Sequence, residues 1–255
     1  MSAETWLRLL LVPAAVWLAS LAARRWGHAA SGYLGGLPLI GGPITLFLAL
    51  DLGVEFASKS ALFTLAAILA QAAHLLALAH AGRRRGWSVA LMAGWTSFAA
   101  VALAVGAAPL TPAVALALAL AGLVAAWRWL PAVSGDTPPP TIPPMELRLR
   151  VGAAFLLAAL ILWSAPRLGP VASGVLLSVP ITGSIMPPFT LALYGPDALA
   201  RLARGFVVGL AGFATFFFTV AAALGTWGIP ATFLAALAAA LAAVSFAGRL
   251  VRARR

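Results

Sequence analysis

Few residues in this chain could do chemistry, and their spacing says what kind. His74 lies deep in an apolar run, and Ser60, Thr64 and Gln71 precede it on one face. On a helix turning about 100° per residue the four fall within a wedge about 80° wide. Imidazole titrates near neutral pH, so His74 could exchange a proton; a hydrogen-bonded packing role is the plainer alternative. Gln71 suits contact with a solute or with a neighbouring helix. A second set combines glycine, proline and hydroxyl groups. Gly35, Gly36, Pro38, Gly41, Gly42, Pro43 and Thr45 sit midway through one apolar run, and Ser178, Pro180, Thr182, Gly183, Ser184, Pro187, Pro188 and Thr190 midway through another. Proline in a helix interior costs about 3 kcal/mol and glycine about 1 relative to alanine, so both runs are expected to break. Opposed helix ends can hold an anionic group or a cation without a charged side chain, and the hydroxyls of Thr45, Ser178, Thr182, Ser184 and Thr190 would add to such a site. The competing explanation is that Gly and Pro only permit close packing.

A third set, Asp51, Glu55 and Lys59, recurs at i, i+4 steps where the next run begins. Acids at a helix start with a Glu–Lys pair account for it; a charged outer gate is the functional alternative. Missing motifs matter as much. The chain has no GxxxxGK[ST] loop, no HExxH and no cysteine, and its six acids fall at run ends or in the Pro-rich segment. Nucleotide hydrolysis, a thiolate or zinc centre and an intramembrane carboxylate dyad are thereby disfavoured, so the sequence does not point to an enzyme and no cofactor or metal is expected.

The elements that must position these residues follow from composition. Of 255 residues 63% are hydrophobic and 9% charged, with mean hydropathy +1.02. A soluble domain carries about 25% charged residues, so an all-α polytopic membrane protein is expected. Nine apolar runs are discernible, at 5–23, 31–50, 57–81, 87–106, 109–130, 149–165, 169–194, 203–225 and 229–248. The first carries Glu4 and Arg8 ahead of its apolar stretch and Arg24 and Arg25 behind, the reverse of a secretory signal, and reads as a retained span. If successive loops alternate sides, all 17 basic residues except Arg8, Lys59 and Arg167 share one side. Cytoplasmic loops keep Lys and Arg, so the N-terminus is expected outside and the C-terminus inside, in a bacterial cytoplasmic (inner) membrane. The net charge of +11 then reports topology rather than a nucleic-acid partner. Residues 132–147, rich in proline, form a cytoplasmic linker between halves 1–108 and 148–255, with 109–131 as a linking helix.

The halves are related. Shifting by 142 positions lays Arg25, Ser31, Gly32, Leu34, Pro38 and Gly41 on Arg167, Ser173, Gly174, Leu176, Pro180 and Gly183. Three extra residues in the second copy then bring Pro43, Thr45, Leu46 and Leu48 onto Pro188, Thr190, Leu191 and Leu193. Continuing at 145 pairs His74 with Thr219 and Lys59 with Arg204. In the third run of the second copy, Gly205, Gly209 and Gly212 make a small-residue face for close packing, within one chain or between two. One unpaired crossing separates the copies, so they lie antiparallel. In this plan the chain resembles inverted-repeat secondary transporters with interrupted helices, an inverted 4+1+4 arrangement with helices two and seven broken. That resemblance implies a secondary active transporter or exporter of a small neutral, zwitterionic or anionic solute, working by alternating access. The expected partners are the solute, the lipid bilayer and a coupling ion, proton or sodium; an oligomer is compatible with the sequence. A membrane subunit of a larger transport complex and a channel-like facilitator are the alternatives.

Overall fold

The computed structural model describes residues 27–133 and 143–253, together with Leu10, residues 12–14, 16 and 17. Among the described residues every regular element is helical: α1 (Gly27–Gly35), α2 (Gly41–Leu52), α3 (Val54–Ala66), α4 (Ile68–Ala81), α5 (Trp87–Ala107), α6 (Pro112–Trp129), α7 (Pro144–Leu177) and α8 (Ile181–Ala253). Four stretches are long and apolar enough to cross a membrane: Val54–Ala81, Trp87–Ala107, Pro112–Trp129 and the run Pro144–Leu250. The middle of the Pro-rich linker lies outside the described residues.

The nine separate runs expected from hydropathy do not appear as nine separate elements, because among the described residues several successive helices are joined by a single glycine turn with no loop between them. α7 turns at Gly169 (φ 75°), and α8 turns at Gly195 (φ 80°) and Gly228 (φ 72°). Only glycine enters this region without a steric penalty. Pro170, Pro196 and Pro230 follow directly or one residue later. Each proline ends the preceding ladder yet costs nothing in the first turn of the next, where its missing N–H has no partner anyway. The chain doubles back at Gly228, since Gly212 before it packs on Ala240 and Val244 after it. Gly53 (φ 89°) makes the same kind of turn between α2 and α3.

Helix starts also follow local chemistry. Thr111 caps α6 by accepting from the Val114 N–H, with Pro112 in the first turn. α7 begins at Pro144, so the linker is shorter than the expected 132–147; a proline there is pre-set for the first helical position.

Burial separates inner from outer helices. Of the most apolar stretch of α3–α4, 72% is buried, against 28% for α5 and 22% for α6. The outward faces of α5 and α6 are themselves apolar, with Met92, Leu103, Val124 and Trp129 exposed, as lipid-facing surfaces require.

Candidate functional site

Two breaks of several residues interrupt the helices in the apolar interior of the described residues. Residues 36–40 separate α1 from α2, and residues 178–180 separate α7 from α8. The first break largely satisfies itself: Gly36 N–H donates to Gly32 O (2.9 Å), Leu39 N–H to Leu37 O (2.8 Å) and Gly42 N–H to Pro38 O (2.8 Å). At the second, Ser178 N–H donates to Val175 O (3.1 Å) and Ile181 N–H to Val179 O (2.8 Å), tightening the turn and leaving other carbonyls without their i+4 donors.

Both breaks line one small cavity of about 60 Å3. Leu34, Gly35, Gly36, Ile40 and Gly41 form one side of it and Leu177, Val179, Pro180, Ile181, Thr182 and Gly183 the other; Gln71, Arg150, Phe206 and Phe213 close the ring. Five of the sequence-derived binding candidates, Gly41, Gln71, Pro180, Thr182 and Gly183, are therefore in the wall. The others lie elsewhere. Gly42 packs on the Phe216 ring. Thr45 Oγ1 donates back to Gly41 O at 2.7 Å and Ser178 Oγ to Val175 O at 2.6 Å. Thr190 is buried, and Ser184 Oγ is buried with no hydrogen-bond partner.

Three prolines were expected to help break these runs and do not. Pro43 stands in the first turn of α2, where its lost donor is of no consequence. Pro187 and Pro188 lie inside a helical stretch of α8. Pro187 cannot donate to Gly183 O four residues earlier, and His74 fills that vacancy: its Nε2 lies 3.1 Å from Gly183 O. Facing a carbonyl, Nε2 is the donor.

His74 is one rung of three. Thr64 Oγ1 donates to Gly174 O at 2.9 Å and Gln71 Nε2 to Ser178 O at 2.8 Å. The polar stripe of α3–α4 thus serves carbonyls along the second broken helix. Each would cost about 1–3 kcal/mol if buried unpaired. Below the ladder the helices touch as closely as glycine permits: a Cβ at Gly174 would stand 2.3 Å from Ser60 O. The edge of Trp95 packs on His74 with ring centroids 6.1 Å apart.

The first broken helix is held differently. α1 lies against residues 202–210 of α8 through Gly32, Gly36, Gly205 and Gly209. A Cβ at Gly32 would be 2.3 Å from Leu202 O, at Gly205 2.1 Å from Ala29 O, and at Gly209 2.3 Å from Tyr33 O. The small-residue face therefore works within one chain. Beyond it Phe213, Phe216 and Phe217 stack with centroids 4.5 and 5.2 Å apart, and Gly41 and Gly42 pack on Phe217 and Phe216.

Two of these contacts recur at one sequence spacing. Gly32 on Leu202 and Gly174 on Ser60 are the same pair displaced by 142 with the roles exchanged. At that spacing Phe206, Phe213 and Phe216 stand where Thr64, Gln71 and His74 stand in the other copy. The expected pairing of His74 with Thr219 and of Lys59 with Arg204 is thus displaced by three residues; Thr219 only donates back to Thr215 O.

Asp51, Glu55 and Lys59 are exposed and are not in the cavity wall. Asp51 ends α2 and Glu55 begins α3, so the Gly53 turn divides what looked like one i, i+4 series. Arg150 is the residue that sequence reasoning missed, having been counted among the cytoplasmic topology charges. It is 3% exposed, lies in the wall and pairs with Glu146, itself 5% exposed, one turn earlier on α7. The Glu–Arg i, i+4 spacing just after Pro144 was the available signal. Among the described residues no three His, Cys, Asp or Glu side chains gather as a metal site would require. Comparison with protein-family models, with curated proteins and with solved structures finds no match to this chain.

Proposed function

We propose that this protein is a secondary active transporter of a small solute, crossing a cytoplasmic membrane nine times as two inverted four-helix repeats joined by α6. The observation that carries this reading is the pair of helix breaks at matched positions lining one cavity. Broken backbone at membrane depth survives only against protein or a water-filled space, and paired interruptions mark where such transporters bind their cargo.

Other features support the same plan. The glycines at Gly53 and Gly195, both at positive φ, are 142 positions apart, as are Gly86 and Gly228, which precede α5 and the last stretch of α8. The exchanged contact pairs repeat at the same spacing. Counting the turns within α7 and α8 as crossings, and the N-terminal run as the first, gives nine. Sidedness is supported by contacts at one end: Arg83 lies 3.8 Å from Asp197 and donates to Ala132 O, and Arg204 donates to Leu130 O at 3.0 Å. Those segments are the ones the alternation of loops assigns to the cytoplasm. The coupling ion is a proton or sodium, and His74 is the side chain suited to the proton. If uptake in His74→Ala keeps the wild-type pH dependence, that role is gone.

Purified protein in liposomes, loaded in turn with acetate, glycine and urea, should catalyse saturable counterflow of at least one labelled solute. The chain has no cysteine, so Thr182→Cys can be probed directly, and the transported solute should slow its modification by maleimide. Non-saturable flux would indicate a channel-like facilitator; flux that needs added membrane proteins would indicate a subunit of a complex; no flux and no protection would defeat the reading.

A further inference from the structure

We propose that the cavity takes a small anion, held by the Arg150 guanidinium, and that Glu146 is the internal counter-ion the anion displaces. Calling that anion a solute rests on the transport reading; its binding does not. A charge inside a membrane protein is costly and marks an ion pathway or a ligand counter-ion when it faces an interior space. Arg150 faces one. Arg148, two residues earlier on the same helix, is exposed, so a topology charge on α7 does not require burial, and Arg150 is buried for another reason. The guanidinium presents a planar fork of donors matched to an oxyanion.

The rest of the wall fits the same guest. Gly41 begins α2, and Ile181, Thr182 and Gly183 begin α8, so two helix N-termini with their partial positive charge border the space. Among the described residues no Asp or Glu lines the wall. The cavity is small, about 60 Å3, so the guest is a small anion, of the class of acetate or nitrate. In its absence Glu146 supplies the negative charge that a buried guanidinium needs, and the anion must compete with it.

The test uses the full-length protein in detergent and follows the thermal unfolding midpoint during titration. The probes are sodium acetate and sodium nitrate, with acetamide as the neutral match in size and sodium gluconate, a larger and heavily hydrated anion, as the ionic-strength control. Acetate or nitrate should stabilise the wild type in a saturable way, while acetamide and gluconate should not. Glu146→Gln should bind the anion about tenfold more tightly, a change of about 1.4 kcal/mol. The double variant Glu146→Gln/Arg150→Gln carries no lone buried charge, so it should fold and bind no anion even if a single variant does not accumulate. Equal stabilisation by acetamide, anion binding that survives in the double variant, or weaker binding in Glu146→Gln would overturn the proposal. Anion binding without flux in liposomes would uphold the anion site and defeat transport; flux of urea without anion binding would do the reverse.

Discussion

The two broken helices are held by interfaces of the same geometry and opposite chemistry. On one side α1 meets residues 202–213 of α8 through glycine against backbone and then through phenylalanine rings. On the other, residues 170–183 meet α3–α4 through the same glycine contact and then through Thr64, Gln71 and His74. Close approach is common to both because a Cβ at Gly32 or Gly174 would meet a carbonyl oxygen at 2.3 Å. The difference lies in where the backbone of the break finds its partners. The break at 36–40 closes hydrogen bonds on itself and leaves room for aromatic packing; the break at 178–180 and the proline at 187 leave carbonyls that only side chains can serve. One interface therefore has nothing to exchange, whereas the other is built of bonds that could be traded during a conformational change.

The largest expected effect comes from the tightest glycine contact, on the first side. Gly205→Ala places a methyl 2.1 Å from Ala29 O, and backbone cannot move aside as a flexible side chain can. The helices must separate, at a cost of about 3 kcal/mol or more, the upper end of overpacking penalties. Gly225→Ala, in open space on the same stretch of α8, should be neutral or stabilising by up to about 1 kcal/mol. Thermal unfolding in detergent separates the two outcomes. If both variants melt alike, close glycine packing is not what holds α1.

The second effect breaks the asymmetry. His74→Phe gives the polar side the residue type of its counterpart Phe216 and leaves Gly183 O unserved, for a loss of about 1–3 kcal/mol. Pro187→Ala restores an N–H four residues beyond Gly183, so in the double variant the helix itself should recover most of that loss. A double-mutant cycle measures the coupling. Additive effects would mean that His74 and Pro187 are unrelated.

Helical class, the two interruptions and the shared face of Thr64, Gln71 and His74 were legible because each depends on local rules: apolar run length, the cost of Gly and Pro, and helical periodicity. What that face touches was not legible. A stripe of polar residues looks the same whether it meets a solute or the carbonyls of a neighbouring helix. Pro187 and Pro188 were misread because a lost helical bond was counted without the side chain that replaces it. Arg150 was missed for a rotational reason. Arg148 and Arg150 are about 200° apart around a helix, so one must face inward if the other faces out. The sequence does not say which, and only the packing of α7 against the cavity decides it. Asp51 and Glu55 were placed on one helix because nothing local shows that Gly53 adopts positive φ.

The smallest effect sharpens the comparison at its boundary, where the glycine contact gives way to the polar ladder. Thr64→Val keeps the shape of the side chain and removes only its hydroxyl, which donates toward both Ser60 O at 2.8 Å and Gly174 O at 2.9 Å. Ser60 O can still accept from the helix N–H four residues on, so the net loss is that of one shared bond to Gly174 O, about 1 kcal/mol. The residue 142 positions beyond Thr64 is Phe206, which carries no donor and lies against Gly35, just before the first break. If the polar side differs from the aromatic side only by its ladder, Thr64→Val should lower the unfolding midpoint slightly and leave the packing of Gly174 on Ser60 intact, as read by the unchanged cost of Gly174→Ala in the same background. A larger cost for Gly174→Ala in Thr64→Val than in the wild type would show that the hydroxyl bond, rather than the glycine, brings the two helices together.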